Sequence, residues 1–104
     1  VDKLEGEEKL SGLLLKDVKT GITCGLEVAG VFVAIGFIPN SDPFRGFIGL
    51  DEAGNIPTDE MMRTALPGIF AAGDIRRNSA RQVAAAVGDG AVAAKSAFGY
   101  LKGG

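Results

Sequence analysis

The sequence contains no histidine and a single cysteine, Cys24. Without histidine there is no imidazole to act as general base, as zinc ligand or as the middle member of a Ser-His-Asp or Cys-His triad. One thiol cannot make an intrachain disulphide or a CxxC dithiol, so Cys24 is read as a structural thiol. Self-contained hydrolytic or metal chemistry is therefore not expected. Positive charge is not in excess either: 11 basic and 13 acidic residues give a net charge of −2. With no basic stripe, nucleic-acid binding has no electrostatic footprint. No apolar run approaches the roughly 20 residues of a membrane span. The opening Val1-Asp2-Lys3-Leu4 has no signal-peptide character and no initiating Met, and it begins inside a strand-like pattern. The chain is accordingly read as a piece of something longer.

What is present points to a small folded domain. Hydrophobic residues make up 46% of the 104 positions, too many for a disordered chain. Glycine occurs 16 times, against 4 prolines and no low-complexity run, so the glycines read as backbone requirements in turns and close contacts. Val1 to Glu5, Lys9 to Val18 and Ile22 to Val28 read as strands separated by the turns Gly6-Glu7-Glu8 and Lys19-Thr20-Gly21. Such spacing predicts an antiparallel meander. Val31-Phe32-Val33-Ala34-Ile35 runs apolar without alternation, as a strand buried on both faces does. The stretch from Gly36 to Pro43, with two prolines and Asn40, Ser41 and Asp42 between them, reads as a connector.

Downstream, Ile48 to Asp51 and Asn55 to Thr58 read as short strands around Glu52-Ala53-Gly54, and Ile69 to Ala72 as a second buried strand ending at Gly73-Asp74. Val83, Val87, Ala91, Ala94, Phe98 and Leu101 recur at spacings of three and four, which predicts one long helix. Ser79-Ala80-Arg81-Gln82 matches a capping box and puts the helix start near Ser79, while Gly103-Gly104 ends it.

Three features carry candidate chemistry. Gly73-Asp74 lies at the end of a strand, where open α/β sheets bind ligands; a glycine there admits a ligand to the backbone and an aspartate accepts hydrogen bonds from polyol hydroxyls. The alternative is an ordinary Asp turn. Arg81-Gln82 lies at a helix start, whose free N–H groups and partial positive charge suit an anion. The alternative makes Gln82 a capping residue and Arg81 a solvated cation. Gly88-Asp89-Gly90 superficially resembles a dinucleotide fingerprint but lacks the preceding strand that the fingerprint needs. Mid-helix glycines cost on the order of 1 kcal/mol each against alanine, which points instead to close packing against a neighbour or a flat ligand.

In combination and in order, Gly68-Ile69-Phe70-Ala71-Ala72-Gly73-Asp74, Arg81-Gln82-Val83 and the run from Gly88 to Ala94 resemble the C-terminal flavin signature of low-molecular-weight thioredoxin reductases. The run from Val31 to Gly36 with Pro39-Asn40 is similar to the end of their NADPH domain, and Met62-Arg63-Thr64 fits the same pattern. The resemblance spans essentially the whole chain. It implies an α/β fold (α+β in the isolated chain), with a strand-rich N-terminal half, short strands and one long C-terminal helix as a partial FAD/NAD(P)-binding domain. Residues 1–38 would be the end of the NAD(P)-binding domain, 39–43 an interdomain connector and 44–104 the C-terminal segment of the FAD domain.

The resemblance also implies roles. Asp74 would hold the ribityl or pyrophosphate region of FAD, with Gly73 allowing the approach. Arg81, Gln82 and Val83 would sit at the flavin ring, and Gly36 near the nicotinamide nucleotide. The parent would be a cytoplasmic NADPH:disulphide oxidoreductase with a thioredoxin-like partner. Splitting its parallel sheet would leave unpaired strand edges and exposed apolar faces, so this chain is expected to self-associate as a homo-oligomer. The family's N-terminal GxGxxG, its second glycine fingerprint and its redox CxxC are absent from this chain. The isolated chain is thus expected to be inactive and to bind FAD weakly. Related parents, a peroxiredoxin-system or ferredoxin–NADP reductase, carry similar motifs, and a non-catalytic binding or dimerisation module is the alternative of another class.

Overall fold

The computed structural model describes residues 1–103. The chain forms two compact units, Val1–Gly36 and a second from Phe37 onward. The first is a three-stranded antiparallel sheet in the order β1-β2-β3, with β1 at Lys3–Glu5, β2 at Gly12–Lys16 and β3 at Thr23–Glu27. This is the meander expected from the turn spacing. Its register aligns Leu4, Leu13 and Leu26 across the sheet, so three leucines share one face and the central Leu13 is buried. The β1–β2 turn requires Gly6: its φ is +141°, and a Cβ there would lie 2.0 Å from the Lys9 carbonyl oxygen. The β2–β3 turn is closed by Asp17, whose carboxylate accepts the N–H groups of Lys19 (2.7 Å) and Thr20 (3.0 Å). Those N–H groups, Thr20's foremost, hold the Asp17 carboxyl below its ordinary value of 3.8.

Val31 to Ile35 is not a strand, which corrects the expectation of a doubly buried one. Phe32, Val33 and Ile35 are exposed, Phe32 completely. A strand apolar on both faces needs hydrogen-bonded neighbours and a covering layer on each side. No described residue pairs with this run.

The second unit has a small core of Ile48, Ile56 and Ala71, with Leu50, Ile69 and Ile75 packed against it. The segments expected as strands here reduce to single bridges: Arg45↔Ile48, Ile56↔Arg76 and Arg63↔Phe70. They are too short and too irregular to propagate a ladder. Scattered backbone bonds such as Ile56 N–H to the Ile75 carbonyl and Ala71 N–H to the Met62 carbonyl join these segments, and side chains add to them. Asp51 accepts the N–H groups of Ala53 and Asn55 around a turn in which Gly54 has φ +85°. The fully buried Ser41 donates its hydroxyl to the Gly54 carbonyl and so ties the connector to that turn.

The helix α1 spans Val83–Leu101. It begins four residues later than the capping-box reading implied. The Ser79 hydroxyl accepts the N–H of Arg81 at 3.1 Å, a local turn, and Arg81 itself is left-handed at φ +54°, which breaks a right-handed helix. Gln82 becomes the N-cap, with no side-chain cap. At the other end Gly103 is left-handed, as a helix stop should be; Gly104 lies outside the described residues. Tyr100 packs edge-on against Phe70 at 6.2 Å and lies over Gly68.

The apolar stripe of α1 does not pack on the core. Val83, Val87, Ala91, Ala94, Phe98 and Leu101 are all exposed. The half-buried face carries Ala86, Asp89, Val92, Ala93, Ser96 and Ala97. Small side chains let the helix lie close to the core, and the larger apolar ones point away. Among the described residues nothing comes near Gly88 or Gly90, so no neighbouring element explains them. These assignments are testable by denaturation. Ile56→Ala in the core is expected to cost about 2–5 kcal/mol, whereas Val87→Ala on the exposed stripe should change stability by no more than about 0.5 kcal/mol. A comparable loss for both would mean that the stripe is buried.

Candidate functional site

The site is built on a 3-10 turn, Gly73–Ile75, and on the start of α1. Ala72 enters the turn extended (φ −141°, ψ 151°), and Gly73 then takes φ +82°. A Cβ at Gly73 would meet Ala86 of α1 at an ordinary 3.5 Å, so the backbone angle rather than lack of space demands glycine. Gly73 is buried, and its N–H donates to Asp89 Oδ2 at 3.0 Å. That amide is spent inside the protein. Asp74, one residue on, is exposed.

An open hollow of about 420 Å³ is lined by Asp74, Arg81, Gln82 and Val83 with Ala86 and Val87. Four of the five expected cofactor-binding residues thus converge, and Gly73 lies beneath them. A second hollow of about 240 Å³ shares Asp74 and Arg81 and is bordered by Phe37, Asn40 and Asn55. The Arg81 guanidinium lies 5.3 Å from the centroid of the Phe37 ring, a cation–π contact. Asn55 is buried, and its Oδ1 has no hydrogen-bond partner among the described residues. Arg81 is held in a backbone region that costs a non-glycine residue about 1–2 kcal/mol. The first turn of α1 has no side-chain cap and no acidic residue, so its N–H groups and positive dipole end are uncompensated.

Behind this surface lies a pair that sequence reasoning missed. Arg76 donates to both carboxylate oxygens of Asp89, at 2.8 and 3.1 Å, and also to Thr58 Oγ1 at 2.8 Å. The side chains are only 15% and 13% exposed. The Arg76 hydrogen bonds hold the Asp89 carboxyl below its ordinary 3.8; partial burial opposes them, and the Gly73 N–H and the Arg76 charge reinforce them. A usable signal was present: Asp89 is the one acidic residue in a helix otherwise made of small, apolar and a few polar residues and Lys95. Such a carboxylate on a packed face needs a cation. Cys24 is a free thiol, exposed on β3. Among the described residues no cluster of His, Cys, Asp and Glu could hold a metal, and no helix is long and apolar enough to cross a membrane.

The profile of the pyridine nucleotide-disulphide oxidoreductases matches residues 1–90. The chain belongs to that family. It is 43% identical over 108 residues to a thioredoxin reductase of Peptoclostridium acidaminophilum, covering 98% of this chain and 34% of that protein. It is 42% identical over 94 residues to a component of the alkyl hydroperoxide reductase of Pseudomonas aeruginosa, covering 90% of this chain and 18% of that protein. The solved structure of thioredoxin reductase from Streptococcus pyogenes superposes with a TM-score of 0.76 at 39% identity, over 98% of this chain and 34% of that one. The chain therefore spans about a third of the thioredoxin reductases it matches. Of the fold expected for this family member, the small antiparallel sheet and the single helix are present.

The Asp89 carboxyl titrates lower in the folded chain than in the unfolded one. Between the two values the unfolded chain binds more protons, so stability present above pH 3.8 is lost as pH falls through the folded value. The Tm of the wild type should accordingly drop more steeply on acidification below pH 3.8 than that of Asp89→Asn, which has no such proton to bind. Parallel Tm curves for the two proteins would refute this role for the carboxylate.

Proposed function

We propose that this chain is the flavin-contacting C-terminal segment of an FAD-dependent NADPH:disulphide oxidoreductase of the thioredoxin reductase type. The observation that carries the proposal is the convergence of Asp74, Arg81, Gln82 and Val83 on one hollow at an uncapped helix start. Residues 1–38 are then the end of the NAD(P)-binding domain, 39–43 the connector and 44–104 the last part of the FAD domain. The matched family and the order of the motifs support this reading.

The residues present suit a flavin. The Asp74 carboxylate would accept hydrogen bonds from the hydroxyls of the ribityl chain. The N–H groups at the start of α1 would stabilise negative charge on the reduced ring. Arg81 would add a cation there, and it packs on Phe37. FAD would supply the redox chemistry that links NADPH to a dithiol. Neither a dithiol nor a glycine phosphate loop lies in these 104 residues, so the isolated chain is inactive and retains FAD poorly. The whole protein is cytoplasmic, forms homo-oligomers and reduces a thioredoxin-like partner. Similarity to the alkyl hydroperoxide reductase component favours a peroxiredoxin-system reductase as the second reading.

Two substitutions in the full-length protein separate binding from chemistry. Asp74→Ala is expected to weaken FAD retention in both redox states, because the groups that it holds do not change charge. Gln82→Ala is expected to lower the flavin potential and slow its reduction while leaving retention largely intact. Gln82 makes no side-chain cap, so if it does not meet the flavin its loss leaves both the potential and the stability unchanged within about 0.5 kcal/mol. Redox titration and melting of the same variant decide. The isolated chain with FAD and NADPH should give no disulphide turnover, and measurable turnover would sink the proposal.

A further inference from the structure

The turn that carries Asp74 and the helix that carries Gln82 are separate elements, and little apolar surface joins them. What joins them is polar. Asp89, two turns into α1, accepts the Gly73 N–H at 3.0 Å and two hydrogen bonds from Arg76 at 2.8 and 3.1 Å. Arg76 follows directly on the turn and also donates to Thr58 at 2.8 Å. The turn is fixed from its other side by backbone bonds: Ile56 N–H to the Ile75 carbonyl and Arg77 N–H to the Ile56 carbonyl, each at 2.9 Å. Asp74 is therefore clamped between a core segment and a helix, and the helix side of the clamp is one carboxylate. We infer that Arg76 and Asp89 are a positioning pair for the flavin, setting the distance between Asp74 and the start of α1 without touching the cofactor themselves.

The inference rests on the flavin reading above and deepens it. Among the described residues Asp74 has no side-chain partner in the hydrogen bonds of the turn, so its direction is inherited from the backbone of Gly73 and Ile75. Gly73 is left-handed and has no side chain to wedge it in place. Its N–H bond to Asp89 is the contact that fixes the turn to the helix. Arg76 holds the Asp89 carboxylate by a two-pronged grip, which a point charge cannot reproduce. Without that grip the carboxylate is free to rotate away from Gly73, and the turn drifts relative to α1.

The test uses the full-length protein and FAD binding measured by flavin fluorescence. An Arg76→Met/Asp89→Asn double variant removes both charges and the two-pronged grip but leaves an amide oxygen to accept the Gly73 N–H, so neither a buried charge nor a buried amide is orphaned. A purely structural role then predicts an unchanged Kd. A positioning role predicts a Kd raised about tenfold, with a shifted visible flavin band, at a near wild-type Tm. Arg76→Lys keeps the charge and loses the fork; it is expected to raise Kd about threefold, and it decides the matter if the double variant does not fold. Unchanged affinity in the folded variants overturns the inference. Asp74→Ala is measured beside them. If it weakens FAD binding while the pair variants do not, the inference alone fails. If it leaves FAD binding unchanged, the flavin reading fails and the inference with it.

Discussion

Two hydrogen bonds between a guanidinium and a carboxylate, at the edge of a core of three buried side chains, hold the second unit in its working shape. The core alone is small. Ile48, Ile56 and Ala71 come from segments that share only single bridges, so no ladder enforces their alignment. α1 contributes mostly small side chains to its inner face, which gives close approach but little area. Under those conditions a half-buried ion pair that also satisfies a buried amide carries more of the organisation than in a large domain. Breaking one side of it would leave an uncompensated charge, which is costlier than the pair is favourable.

The sequence was most legible where the structure is local. The three-stranded meander follows from short glycine turns and alternating segments, and its register is set by Gly6 and Asp17 within the turns themselves. The convergence of Asp74 with Arg81, Gln82 and Val83 was legible through their shared motif. What was not legible depends on partners. The run from Val31 to Ile35 has the composition of a central strand, but strandness there requires neighbours that these residues do not have. Helix periodicity gave a long helix but not which face packs: Val83, Val87, Phe98 and Leu101 point outward, while Ala86, Ala93 and Ala97 are half-buried. A hydrophobic stripe reports that something covers it and does not say what. Asp89 went unread because its flanking glycines suggested a backbone motif, whereas its role lies in its charge.

The two halves of the candidate site differ in kind. Asp74 sits on a turn fixed by backbone and side-chain bonds on both sides. The start of α1 is held by less: no cap, a local Ser79 turn and the contact between Arg81 and Phe37.

The left-handed backbone at Arg81 has a consequence for anyone improving this protein. Asn or Gly carries that conformation at lower cost, so either is a natural choice wherever only the fold matters. Arginine at this position gives up some of that ease in return for a cation at the mouth of the hollow. A screen for heat tolerance alone would tend to select the cation away, and the positive charge that lines both hollows would go with it.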